Sequence, residues 1–245
     1  MNPLYIFMDL EAAHGDVYFG DIIELSAQVD PRVLENEIFD QLINTRQTLT
    51  YFTLHVSKIT RDMLNGRKYF PDIFAEFLAW IDEVVVRCGK RWRTTYYPVL
   101  VAHGGFDMDF MMIQSNLERN EMDVDVLGRH NLHFADTYHL LKKERLNGKL
   151  RCLAGSKLSI EALLQRLFPD DDIAGQHRAM SDVKFMIKIC LGSPVKEVFH
   201  KISIASYKSR NEAFLARHQG GVNVLYSDMY PYYVTFFFAE HLPTQ

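Results

Sequence analysis

The chain has 245 residues, of which 48% are apolar, 13% aromatic and 24% charged, a globular balance far from the charge-rich signature of disorder. Its 27 Lys and Arg against 31 Asp and Glu give a net charge of −4, which excludes a protein that holds a polyanion by bulk phosphate neutralisation alone. Cys88, Cys152 and Cys190 are far apart and form no CxxC pair, which excludes a disulfide framework and points to an intracellular setting, cytoplasmic or nuclear.

Residues 4–9 are apolar, have no basic stretch ahead of them and meet Asp9 after a few positions. They read as a first strand, neither signal peptide nor membrane span, and no membrane association is expected. With residues 21–29 they predict a hairpin across the turn-forming segment 14–16, and residues 37–43 supply a third strand. From Phe70 the apolar positions Ile73, Phe74, Phe77, Leu78, Ile81, Val84 and Val85 recur at helical spacing, with Pro71-Asp72 as the start.

Residues 98–102 are a compact apolar strand, and Phe106, Phe110, Ile113 and Leu117 mark the face of a second helix. A short strand at 133–135 and helices at 158–167, opened by Ser156 or Ser159, and at 183–191 follow. Strands first and strand-helix repeats afterwards predict an α/β fold with a mixed sheet and helices on its faces. Residues 1–192 form one expected domain. Residues 193–245 form a C-terminal extension, with a helical stretch near 196–218 and an aromatic run at 226–238, that either packs on the core or mediates association as a homodimer or with a protein partner.

Three short segments carry chemistry. Asp9 and Glu11 lie two apart on the first strand and so project to one face, where two acids repel unless cations lie between them. In Phe106-Asp107-Met108-Asp109-Phe110 the two acids diverge on a helix. Asp107, beside the apolar stripe, is expected to face a site and Asp109 to face solvent. His177 precedes a helix whose first turns hold Asp182, and the acidic run 170–172 reads as a solvated loop. His103, His130 and His133 have no cysteine at finger-like spacing and read as structural or surface residues rather than zinc ligands.

The ordered combination of Asp-x-Glu on the first strand, a second Asp-bearing segment about a hundred positions later, and His-x-x-x-x-Asp beyond it, over residues 4–191, resembles the DEDDh (DnaQ-like) 3′–5′ exonuclease family. That family includes polymerase proofreading subunits and three-prime repair exonucleases. The segments Ile59-Thr60-Arg61-Asp62-Met63-Leu64, Ala135-Asp136-Thr137 and Leu158-Ser159-Ile160-Glu161-Ala162-Leu163 are similar to the family's intervening segments. Arg178 stands where the related tyrosine class has Tyr, and His177 five before the last Asp indicates the histidine class.

The resemblance implies a ribonuclease H-like mixed sheet and hydrolysis of phosphodiester bonds at the 3′ ends of DNA or RNA, releasing nucleoside monophosphates. It implies two divalent cations, Mg²⁺ or Mn²⁺, which hard oxygen ligands select. By the same resemblance Asp9 bridges both cations, Glu11 and Asp182 complete the site that holds the attacking water, Asp107 supports the second cation, and His177 is the general base. Ala12, Ile59, Thr60 and Phe106 are the implied substrate contacts. The sequence departs from the family at Ala12-Ala13-His14-Gly15 and at His103-Gly104-Gly105, departures that bear on substrate preference rather than on metal chemistry. Two basic clusters, Lys90, Arg91 and Arg93, and Lys142, Lys143, Arg145, Lys149 and Arg151, could meet a nucleic-acid backbone. A nuclease fold used only for binding or scaffolding is the alternative, and it needs none of the five active-site residues.

Overall fold

The computed structural model describes residues 1–171, 177–192 and 194–208. Its centre is a six-stranded sheet in the order β3-β2-β1-β4-β5-β6. The strands are β1 (Asn2–Ala12), β2 (Ile22–Val29), β3 (Ile38–Leu42), β4 (Tyr96–Ala102), β5 (His133–Asp136) and β6 (Ile204–Ser206). The first three form an antiparallel meander, β4 and β5 add in parallel to β1, and β6 closes the far edge antiparallel to β5. The mixed α/β sheet read from the sequence is the observed fold.

The described helices are α1 (Tyr51–Val56), α2 (Arg61–Leu64), α3 (Phe70–Trp92), α4 (Asp109–Arg119), α5 (Val126–Arg129), α6 (Thr137–Leu146), α7 (Ile160–Leu167), α8 (Ala179–Leu191) and α9 (Lys196–Phe199). None of them is long and apolar enough to cross a membrane. The apolar stripe of α3 is buried along its length, Pro71 sits in its first turn, and Arg93 ends it in the left-handed conformation. Lys90 and Arg91 lie in its last turn, where cations complement the carbonyl end of the helix dipole. Ser159, one of the two caps expected, accepts the Ala162 N–H at the start of α7.

The central strands are buried on both faces. On one, Phe7, Val99, Val101 and Ala135 meet Val183, Met186 and Cys190 of α8 with Phe199 and Ile202. Because neighbours directly opposite in a pair share a face, the register Asp9↔Ser26 and Glu11↔Glu24 puts all four of those residues on this same α8-covered side. Glu24, Ser26 and Gln28 make β2 an apolar strand with one polar face, yet all three are buried.

Three expectations are corrected. The helix expected from Phe106 begins at Asp109, after a turn in which Asp107 and Met108 donate N–H bonds to the Gly104 carbonyl. The helical stretch expected near 196–218 is interrupted: α9 is helical, β6 follows, and residues 207 and 208 are helical again, the part beyond 208 lying outside the described residues. Since β6 pairs with β5, the compact unit is Met1–Lys208 rather than ending at 192. The aromatic run 226–238 also lies outside the described residues.

Candidate active site

At its carboxyl end β1 outruns β4, whose last pairing is Phe7↔Val101, and carries Asp9 and Glu11 past the parallel part of the sheet. Asp182, in the first turn of α8, reaches the same point from the covering layer. The three residues each bring one carboxylate oxygen to within 4.8 Å of the others. Burial pushes the Asp9 carboxyl well above the usual carboxylate range, and repulsion from Asp109, Asp182, Glu11 and Glu24 adds to it. Glu11 is likewise raised, by burial first and then by Glu24, Asp182 and Asp109, with Arg178 opposing. Asp182 is pushed up to about 6 by burial, against the hydrogen bond that it accepts from the His177 N–H. Hard oxygen donors, partly dehydrated and held together against their own repulsion, fit a divalent metal ion.

The second acidic segment is held by one residue of β5. Asp136, 2% exposed, accepts the N–H groups of Tyr138 and His139 as the N-cap of α6. It also accepts those of Gly104 at 3.1 Å and Phe106 at 3.0 Å. Gly104 takes a positive φ of 78°, the left-handed turn that glycine enters without strain. The chain is thereby delivered so that Asp109 comes near enough to Asp9 to raise its carboxyl. Asp109 is 8% exposed, accepts the Leu10 N–H and is pushed up to about 7 by burial. The expectation that Asp109 faces solvent is therefore corrected. Asp107 turns to His139, whose Nε2 lies 3.5 Å from its Oδ2.

His177 is exposed and has a positive φ of 63°, and its N–H donates to Asp182 Oδ2 at 3.2 Å. Partial burial of its ring lowers the imidazole pKa, with the charge of Glu161 pulling the other way. Residues 172–176, which hold part of the acidic run 170–172, lie outside the described residues. Asp171 of that run pairs with Lys188.

The implied substrate contacts divide. Ala12 borders the acid group, and its carbonyl accepts the Thr53 hydroxyl of α1 at 3.0 Å. Thr60 is exposed and caps α2. Phe106 is half-buried and, with Asp136, His139, Leu140, Lys143, Lys201 and Ser203, lines a cavity of about 270 Å³. Ile59, however, is fully buried among Ala13, Ile23, Leu49 and Leu64, which corrects its expected role: it supports the Thr60 segment from beneath and offers no surface. Of the histidines set aside as structural, His103 is held between the Thr137 hydroxyl at 2.8 Å and the Leu158 carbonyl at 2.6 Å.

Sequence reasoning missed Glu24, Arg178 as its partner, Asp136 and His139. The signal for Glu24 was present as the single acid in residues 22–29, and for Asp136 as an Asp-Thr step before a helix.

These acids predict a pH dependence. Folding raises their proton affinity, so without divalent cation they cost stability as pH climbs from the unfolded value of about 3.9 through about 6 for Asp182 and about 7 for Asp109. Mg²⁺ or Mn²⁺ is expected to raise the melting temperature by several degrees at about pH 7.5 and by less at about pH 5.5. Thermal melts with and without the cation check this, and equal shifts at both pH values contradict it.

The chain is similar to several known proteins. The chain is 26% identical over 153 residues to the DNA polymerase III PolC-type protein of Latilactobacillus sakei subsp. sakei (strain 23K), an alignment covering 61% of this chain and 9% of that much longer relative. Among solved structures it is similar to the cell-death related nuclease 4 (CRN-4), with a TM-score of 0.55 and 13% identity over 83% of this chain and 66% of that one. It is also similar to a full-length 3′-exonuclease, with a TM-score of 0.56 and 16% identity over 77% and 80%. A third likeness is to a 3′-exonuclease in a structure of 3′-end specific recognition of histone mRNA stem-loop, with a TM-score of 0.57 and 15% identity over 83% and 70%. The family profile described as Exonuclease (RNase_T) matches residues 6–190, the span that carries all the acids above, and the chain belongs to this exonuclease family, of the DEDDh, DnaQ-like kind.

Proposed function

We propose that the chain is a metal-dependent 3′–5′ exonuclease that removes nucleoside monophosphates from the 3′ ends of DNA or RNA. The observation that carries this reading is the convergence of Asp9, Glu11 and Asp182 within 4.8 Å in a chain of the exonuclease family. Asp9, Glu11, Asp182 and a fourth acid would hold two divalent cations there, which would lower the pKa of a bound water and neutralise charge on the phosphoryl oxygens. His177 takes the proton from the attacking water, since a neutral imidazole is the common side-chain base near neutral pH. The water oxygen bonds to the terminal phosphorus, and the phosphorus bond to the preceding nucleotide's 3′-oxygen breaks, that oxygen taking a proton from solvent to become the new 3′-hydroxyl. Thr60 and Phe106 border the terminal nucleotide, and stacking on an aromatic face reads no sequence.

The fourth acid is Asp109. Its burial, its hydrogen bond from Leu10 and its repulsion of Asp9 support it over Asp107, which faces His139. Asp109→Asn is expected to lower kcat by about 10²-fold or more, and Asp107→Asn by about tenfold or less. The reverse order in steady-state rates would return the role to Asp107.

The reading is tested with 3′-labelled single-stranded, duplex and stem-loop DNA and RNA, with and without Mg²⁺ or Mn²⁺. Cation-dependent mononucleotide release is expected from at least one substrate, and its absence from all of them leaves a binding or scaffolding nuclease fold.

A further inference from the structure

Glu24 is a fifth acid beside the catalytic group, 1% exposed on β2 and directly opposite Glu11. Both of its oxygens are engaged from the approach to α8. Arg178 Nε donates to Oε1 at 3.0 Å and to Oε2 at 3.2 Å, and Arg178 Nη2 donates to Oε1. The Ala179 N–H donates to Oε2 at 2.9 Å. Arg178 makes no side-chain cap to α8 itself, so the helix start, whose first N–H groups have no partner within the helix, is capped from another strand. On its other side the His177 N–H binds Asp182, which sits one turn into the same helix.

Two carboxylates thus fix three consecutive residues, and between them the backbone passes through the left-handed φ of His177. A non-glycine residue keeps such a conformation only where its surroundings over-determine it. The Arg178 charge is near enough to Glu11 to oppose the rise of its carboxyl, and both Glu24 oxygens are occupied by the approach to α8.

We infer that Glu24 and Arg178 form a positioning clamp that sets the direction of the chain at His177 and the depth of Asp182, and through them the rate of the reaction. The inference rests on the exonuclease reading for its effect on rate, but not for its effect on the segment. A displacement of about 1 Å in a reacting group can cost about 10²-fold in rate, so the clamp acts on kcat rather than on substrate binding.

The test compares the unsubstituted protein with Glu24→Gln, Arg178→Lys and the double variant Glu24→Gln/Arg178→Met. The double variant removes both charges together, because Arg178→Met alone strands a buried carboxylate and invites unfolding. Readouts are kcat and KM on a 3′-labelled oligonucleotide with Mg²⁺, the melting temperature, and amide hydrogen exchange at residues 177–182 against the rest of the chain. In the double variant kcat is expected to fall about 10²-fold with KM changed less than about threefold. Exchange at 177–182 is expected to rise about tenfold while β1 and β2 stay protected. Arg178→Lys, which keeps the charge without the fork, is expected to fall between the two.

A double variant that melts normally and keeps kcat overturns the proposal. So does a loss of rate accompanied by uniformly faster exchange, which is the mark of a merely structural pair. If the unsubstituted protein releases no nucleotide from any substrate, the exonuclease reading fails, and unchanged exchange at 177–182 is then the result that overturns the clamp.

Discussion

Asp9→Asn, which keeps the side chain's size and removes its charge, is expected to lower mononucleotide release by about 10³-fold or more while leaving the chain folded. Asp9 feels all the others: Asp109, Asp182, Glu11 and Glu24 each raise its carboxyl. Removing its charge takes away the centre of the oxygen set, so the cation-induced rise in melting temperature should vanish with the activity. The same removal relieves repulsion, so the cation-free variant should melt at or above the temperature of the parent near neutral pH. Calorimetric Mg²⁺ titration beside the rate assay checks both arms. A variant that binds Mg²⁺ as the parent does, or keeps its rate, contradicts the placement of Asp9 at the centre.

His177→Ala is expected to lower kcat by about 10² to 10⁴ while sparing much of the cation binding. The imidazole must be neutral to accept a proton, and burial lowers its pKa. The parent rate should therefore fall as pH drops through a value below the usual histidine pKa of about 6.5. The Ala variant should lack that limb, while the part of the pH profile due to the acids persists. Rates measured from about pH 5 to about pH 8 with saturating Mn²⁺ separate the two. Full activity of the variant at pH 7 would remove His177 from the chemistry. Because the substituted position carries a positive φ, His177→Gly should lose the same activity while relieving the backbone, a control for local folding.

Five strands of the sheet and its larger covering helices were legible because their apolar periods are strong, whereas β6 fell in a stretch read as helical. Residues 98–102 and 133–135 were read as strands nearly as they stand, and the stripe of α3 identified the longest helix. α6 was missed: its apolar positions are few and Lys142, Lys143 and Arg145 crowd its surface, so its start depends on the Asp136 cap rather than on a hydrophobic pattern. The meeting of Asp9, Glu11 and Asp182 could be read because each lies near an element's end, where spacing alone brings side chains together.

The burial of Asp109 could not be read in that way. Helical spacing of Phe106 and Phe110 favours a helix that begins at 106, whereas Asp136 captures the Gly104 and Phe106 N–H groups and postpones the helix to Asp109. Glu24 was hidden for a related reason. Its neighbour Glu11 is fixed by the register of two strands, and its partner Arg178 lies 154 positions away; neither relation leaves a local trace. Ile59 was misread in the opposite sense, since a residue beside a binding surface and one supporting it from below look alike in a sequence.

The four amides gathered by Asp136 have a consequence for how this end of the sheet comes apart. Two belong to the loop that delivers Asp109, and two to the first turn of α6. One carboxylate therefore answers for both, and neither can fray without unsatisfying the other. Local opening at the carboxyl edge of β5 is thus a single event, in which the helix start, the glycine turn and the buried Asp109 are released together.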